Sequence, residues 1–147
     1  VGEIAFAAVA GWLIALSVHD LRYRRLPNLL TLPGAVVILV VAALTGHGLE
    51  ALLGALALTG IYAVVHLGAA GALGAGDVKL ALGVGGLTGA FGMQAWALCA
   101  IGASLLTGLW GGVRVLRGVR TPVPHGPAMC LTAAAAVVMA LTDPTLR

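Results

Sequence analysis

Only five acidic residues occur in a chain of 147, and two of them, Asp20 and Asp77, stand where an apolar run meets a basic segment. A carboxylate beside membrane-spanning helices is expensive to place, which makes each a functional-site candidate by default. Asp77 closes the stretch Gly74-Ala75-Gly76-Asp77, ahead of Val78 and Lys79. Glycines there let backbone turn tightly and let a bound chain approach Asp77 closely. Two carboxylates in one partly desolvated site cannot both ionise easily, so the pair shares a proton near working pH. Such a pair can hold a water, take its proton with one member and protonate a departing amide with the other. The simpler reading makes each aspartate an interfacial charge, a helix cap or a salt-bridge partner. A lone GxGD is too short to decide between them.

Whether the two meet depends on the elements that carry them. The chain is 61% hydrophobic and 9% charged, with a mean hydropathy of +1.08. A soluble domain is about 45–50% apolar and about 25% charged. No polar stretch is long enough for a separate aqueous domain, so one integral-membrane domain over 1–147 is expected. Apolar runs at 4–18, 29–45, 49–70, 78–92, 95–113 and 126–141 predict an all-α bundle of six transmembrane helices. A span takes about 20 apolar residues; the first, fourth and sixth runs fall short alone, and flanking residues or tilt make up the difference. The runs are continuous, which excludes a membrane β-barrel's alternation. The first run lacks a small-residue cleavage site after a basic start, so it is expected to persist as a helix rather than act as a signal peptide. Pro33 fits a first helical turn with Thr31 as N-cap. Gly85-x-x-x-Gly89 and Gly108-x-x-x-Gly112 permit close helix approach.

With six crossings, Arg22, Arg24, Arg25, Lys79, Arg114, Arg117 and Arg120 share one side, and Arg147 alone falls on the other. The positive-inside rule makes the rich side cytoplasmic and both termini extracytoplasmic. Asp20 and Asp77, two crossings apart, then lie at the same cytoplasmic end. The expected location is the plasma membrane, multi-pass, with the lipid bilayer as a partner and no nucleic acid.

Other residues carry weaker signals. Lys79 either depresses the Asp77 pKa or binds a substrate carbonyl, or it is a snorkelling anchor. The arginines after Asp20 read as topology and headgroup anchors. Pro27-Asn28 fixes the way into the second helix and so helps to position Asp20. Gly126-Pro127 reads as a helix start with proline in the first turn. His19 and His125 share the cytoplasmic end with both aspartates, but no ligand spacing within a helix is present, and no metal or cofactor is expected. His66 reads as a hydrogen-bonded packing residue. Trp12, Trp96 and Trp110 read as interface or packing aromatics. Cys99 and Cys130 lie in apolar runs without a CxxC and read as buried thiols.

Taken together, Asp20-Leu-Arg-Tyr-Arg-Arg-Leu-Pro-Asn-Leu-Leu-Thr, Gly74-Ala-Gly-Asp-Val-Lys-Leu and Val123-Pro-His-Gly-Pro-Ala resemble the type IV prepilin peptidases, polytopic GxGD aspartic proteases. The resemblance implies that Asp20 and Asp77 are the catalytic pair and that Gly74 and Gly76 are the motif glycines. It implies hydrolysis, at the cytoplasmic membrane face, of the short basic leader of a prepilin-like substrate with a hydrophobic N-terminal helix. Larger members carry an added segment with paired CxxC motifs and many N-methylate the new terminus. This chain has no CxxC and looks like the short forms of tight-adherence (Flp) pilus systems or archaeal preflagellin peptidases, so methyltransferase activity is expected to be absent. The competing readings are a small polytopic transporter, or a non-catalytic scaffold subunit of a pilus or secretion assembly.

Overall fold

Each apolar run forms a helix, and the boundaries shift where the aspartates lie. The computed structural model describes residues 2–69, 71–143 and 145; Val1, Ala70, at the end of the third run, and Arg147 lie outside the described residues. Among those described there are six α-helices and no strand: α1 Gly2–Tyr23, α2 Asn28–Leu44, α3 Gly48–Gly68, α4 Ala75–Ala90, α5 Met93–Leu116 and α6 Gly126–Thr142. Helix α1 continues past its apolar run and carries Asp20 in its last turns. Helix α4 starts at Ala75, so Asp77 belongs to its first turn rather than to a turn ahead of it.

The start of α2 differs from expectation. Pro27, in extended backbone at φ −71° and ψ 136°, is the N-cap, and Pro33 lies well inside the helix. Thr31 is therefore not a cap. It is buried, and its hydroxyl donates to the Pro27 carbonyl at 3.2 Å. The Leu30 and Thr31 N–H groups donate to the same carbonyl, at 3.0 and 3.1 Å. Pro27 presets the extended geometry that a helix start needs, so winding begins a turn early. The Leu30 carbonyl accepts from Trp12 Nε1 at 2.8 Å, which ties α2 to α1.

Helix α4 is the axis of the bundle. It packs along α3 and also contacts α2, α5 and α6. Ten of its 16 residues are buried, without a break from Gly83 to Gly89. Every other helix leaves large apolar side chains exposed, among them Ile14, Leu29, Leu53, Leu105 and Leu131. An outer surface of this kind suits hydrocarbon, whereas a helix apolar all round belongs in the interior. At 1.5 Å per residue α4 is only about 24 Å long, shorter than the roughly 30 Å hydrocarbon layer; enclosed by other helices, it does not have to match the lipid. Helices α1, α3 and α5 are long and apolar enough to cross a bilayer, and α2 and α6 are shorter apolar helices. The architecture is a helical membrane bundle.

Glycine sets how closely α3 and α4 approach. A Cβ on Gly85 would lie 2.6 Å from the Gly54 carbonyl oxygen and 2.8 Å from Leu58 Cβ; one on Gly89 would lie 2.7 Å from the Glu50 carbonyl oxygen. Trp96 Nε1 donates to the Gly54 carbonyl at 3.0 Å and joins α5 to the same crossing. Gly108 and Gly112 instead face open space. Of the two small-residue spacings, only the one on α4 is a packing motif. Replacing Gly85 with valine should therefore destabilise the bundle by about 1–3 kcal/mol or more, as overpacking does. Gly108→Ala, with open space at its Cβ, should cost no stability and should gain up to about 1 kcal/mol from helix propensity. Thermal unfolding of the two variants in detergent, read against the parent protein, checks both.

Candidate active site

Asp77 is the third residue of α4 and Gly74 is its N-cap, in extended backbone at φ −73° and ψ 149°. The carboxylate folds back so that Oδ2 accepts the Gly74 N–H at 3.2 Å, while the Asp77 N–H donates to the Gly74 carbonyl at 3.1 Å. This is the carboxylate half of a capping box, and it satisfies a donor that a helix start would otherwise leave free. The two motif glycines serve different neighbours. A Cβ on Gly76 would meet Leu26 Cβ at 3.0 Å, and one on Gly74 would meet Asp77 Oδ2 at 3.3 Å. Gly76 thus lets the chain after α1 lie against the start of α4.

Asp20 reaches the same place from α1. It is only 6% exposed, and its Oδ2 accepts the Gly126 N–H at 3.1 Å. Gly126 is the first residue of α6, followed by Pro127, so the carboxylate occupies a helix N-terminus, where donors are unpaired and the dipole favours negative charge. A Cβ on Gly126 would stand 2.5 Å from Asp20 Oδ2, inside contact distance. Beyond Asp20 the chain turns sharply: Arg24 adopts φ 49°, its N–H donates to the Asp20 carbonyl at 2.8 Å, and its guanidinium donates to the Pro122 carbonyl at 3.1 Å. The ends of α1, α4, α5 and α6 are thereby gathered at one end of the bundle.

The two aspartates line one open cavity of about 280 Å³, with Gly74, Ala75, Gly76 and Leu26 as backbone and apolar wall and Arg24, Arg25 and Lys79 as its cations. Burial, and then the negative charge of Asp20, push the Asp77 carboxyl up to about 6, against the opposing Gly74 N–H. The two groups therefore interact electrostatically across the cavity. Lys79 is not among the causes of that shift; its ammonium donates to Asn28 Oδ1 at 2.8 Å and joins the start of α4 to the start of α2. Pro27 caps α2 and Pro127 stands in the first turn of α6.

Three histidines have local partners. His66 Nδ1–H donates to the Leu73 carbonyl at 2.7 Å, and the His19 ring packs on Tyr23 with centroids 4.6 Å apart. His125 is held at both ring nitrogens, Nε2 to the Tyr62 hydroxyl at 2.6 Å and Nδ1 to the Thr107 hydroxyl at 2.7 Å. Burial lowers its pKa to about 4 and keeps the ring neutral. Among the described residues no group of three or more His, Cys, Asp or Glu side chains comes together as metal ligands would.

Sequence reasoning missed the Gly126 N–H as a partner of Asp20, and with it Tyr62 and Thr107. A proline in the first turn of α6 was the available signal, because it marks a helix start whose leading N–H groups need acceptors. A match across distant parts of the chain bears on what this arrangement does. A family model described as the type IV leader peptidase family matches residues 7–112, a stretch that contains both Asp20 and Asp77. No curated protein and no solved structure matches. With nearly three-quarters of its length under that match, this helical membrane chain is a peptidase of the leader-processing kind and belongs to the type IV leader peptidase family.

Proposed function

We propose that the chain is an aspartic endopeptidase that removes the short basic leader of prepilin-like precursors at the cytoplasmic face of the plasma membrane. The observation that carries this reading is the shared cavity: two buried carboxylates from helices distant in sequence converge on one open space at one end of the bundle. A water between them completes the chemistry. One carboxylate takes a proton from the water as its oxygen attacks the scissile carbonyl carbon, giving a tetrahedral intermediate. The other donates its proton to the amide nitrogen as the C–N bond breaks, and the pair is left with one proton between them, as it began. Asp77, with its carboxyl at about 6, is suited to hold that proton near neutrality.

The end of the bundle that carries the cavity also carries Arg24, Arg25 and Lys79, which by the positive-inside rule is the cytoplasmic end. The whole chain would then form one transmembrane domain with both termini extracytoplasmic. A leader still in the cytoplasm, followed by a membrane-inserted helix, would present its junction at the level of the cavity. Gly74 leaves backbone exposed beside Asp77 for an extended peptide to lie against. The cations at the cavity repel a basic leader, so they do not select it. Lys79 and Asn28 act on the site by joining α4 to α2 at its wall.

Coexpression with a candidate prepilin, read by a gel shift for leader loss, tests the dyad. Asp20→Asn and Asp77→Asn should each abolish cleavage while the protein still accumulates in the membrane; cleavage surviving either change would sink the assignment. The pH profile is a second check. Activity needs one proton on the pair, so the rate should fall as pH rises through the Asp77 value near 6, and a rate flat from about pH 5 to 9 contradicts a shared proton. Mass spectrometry of the mature product should show an unmethylated N-terminus, consistent with a chain that has no CxxC; a methyl group added by this protein alone would refute that.

A further inference from the structure

Two hydroxyls on separate helices hold the ring that precedes the Asp20 donor. Tyr62 of α3 binds His125 Nε2 at 2.6 Å and Thr107 of α5 binds Nδ1 at 2.7 Å. The next residue, Gly126, gives its N–H to Asp20 Oδ2 at 3.1 Å. The connection from α5 to α6 is otherwise mostly exposed, and such segments wander unless something fixes them. Here the half-buried ring fixes the segment next to the residue whose displacement would withdraw the donor from Asp20. Both ring nitrogens are taken, and one must donate while the other accepts, so the two hydroxyls define the ring's orientation as well as its place.

We infer that His125, held between Tyr62 and Thr107, is a positioning residue that aims the Gly126 N–H at Asp20 and so sets the ionisation and orientation of that carboxylate. This rests on the reading of Asp20 as a member of the dyad. His125 does not line the cavity that holds the two carboxylates. Its ring stays neutral over the working range, since burial lowers its pKa to about 4, so it acts through geometry and not through charge. A carboxylate that loses a backbone N–H donor holds its proton to higher pH. The groups that face Asp20 besides this donor are His19 and Arg24 of its own helix and segment, Asp77 of α4 and Cys130 of α6; the cavity adds Arg25 and Lys79. None of them is altered by substitution at His125.

His125→Phe separates this role from space-filling, because it keeps a ring of similar size and removes both hydrogen bonds. In membranes, with a prepilin substrate, it should lower kcat about ten-fold with KM within about two-fold of the parent, and move the acidic limb of the kcat profile to higher pH by about half a unit or more. Tyr62→Phe and Thr107→Val each remove one tether and should move the same limb in the same direction by less. They carry the test if His125→Phe fails to accumulate. Parent kcat with an unmoved acidic limb overturns the inference, and so does a lower kcat with an unmoved limb, which is what mere loosening of the bundle would produce. Asp20→Asn is run beside them. If it cleaves as the parent does, the dyad reading falls and this inference with it. If it is inactive while the His125 variant keeps the parent profile, only the inference falls.

Discussion

A carboxylate withdrawn from water must find donors or keep its proton, and two of them in one cavity must share. That constraint accounts for much of how the end of the bundle is built. Each aspartate receives a backbone N–H at a helix start, Asp77 from the N-cap of its own helix and Asp20 from the first residue of α6. Side-chain cations are placed around the cavity rather than against Asp77: Lys79 binds Asn28 and Arg24 binds the Pro122 carbonyl. A direct ammonium partner would hold Asp77 ionised and remove the proton that the proposed dyad has to supply. Backbone donors favour the charged form more gently and leave the carboxyl at about 6.

The glycines follow from the same requirement. To bring a helix start and a carboxylate from another helix to one point, backbones must approach within a side chain's width. Gly126 accommodates the Asp20 carboxylate and Gly76 accommodates Leu26. Deeper in the bundle, Gly54, Gly85 and Gly89 bring α3 against α4. That close crossing lets a short helix sit enclosed by longer ones. An enclosed α4 is what keeps Asp77 largely out of water although it lies only three residues into its helix.

Several features were legible from residue order alone because they depend on short-range physics. Helix number follows from uninterrupted apolar runs, since backbone in hydrocarbon has to satisfy itself locally. The side-sharing of Asp20 and Asp77 follows from counting crossings. The start of α6 at Gly126-Pro127 follows from proline's tolerance in a first turn. Residue order misplaces the start of α2: Thr31 reads as the cap with Pro33 in the first turn, whereas Pro27 in extended backbone caps the helix and Pro33 lies inside it. Gly108-x-x-x-Gly112 has the same spacing as the pair on α4 yet faces outward, and spacing cannot say which face of a helix meets protein.

Residue order alone was enough for a six-helix membrane bundle, for two aspartates at one end of it, and for the family through motifs scattered over most of the chain. Those are properties of composition, periodicity and order. What each carboxylate leans on depends on how the helices pack. The hydrogen-bond partners of Asp20 and of the ring beside it stand 106, 63 and 18 positions away in the chain. Contacts of that range are set by how helices rotate and approach one another. Rotation and approach depend on which side chains and glycines face each other across the bundle, which no single helix reveals.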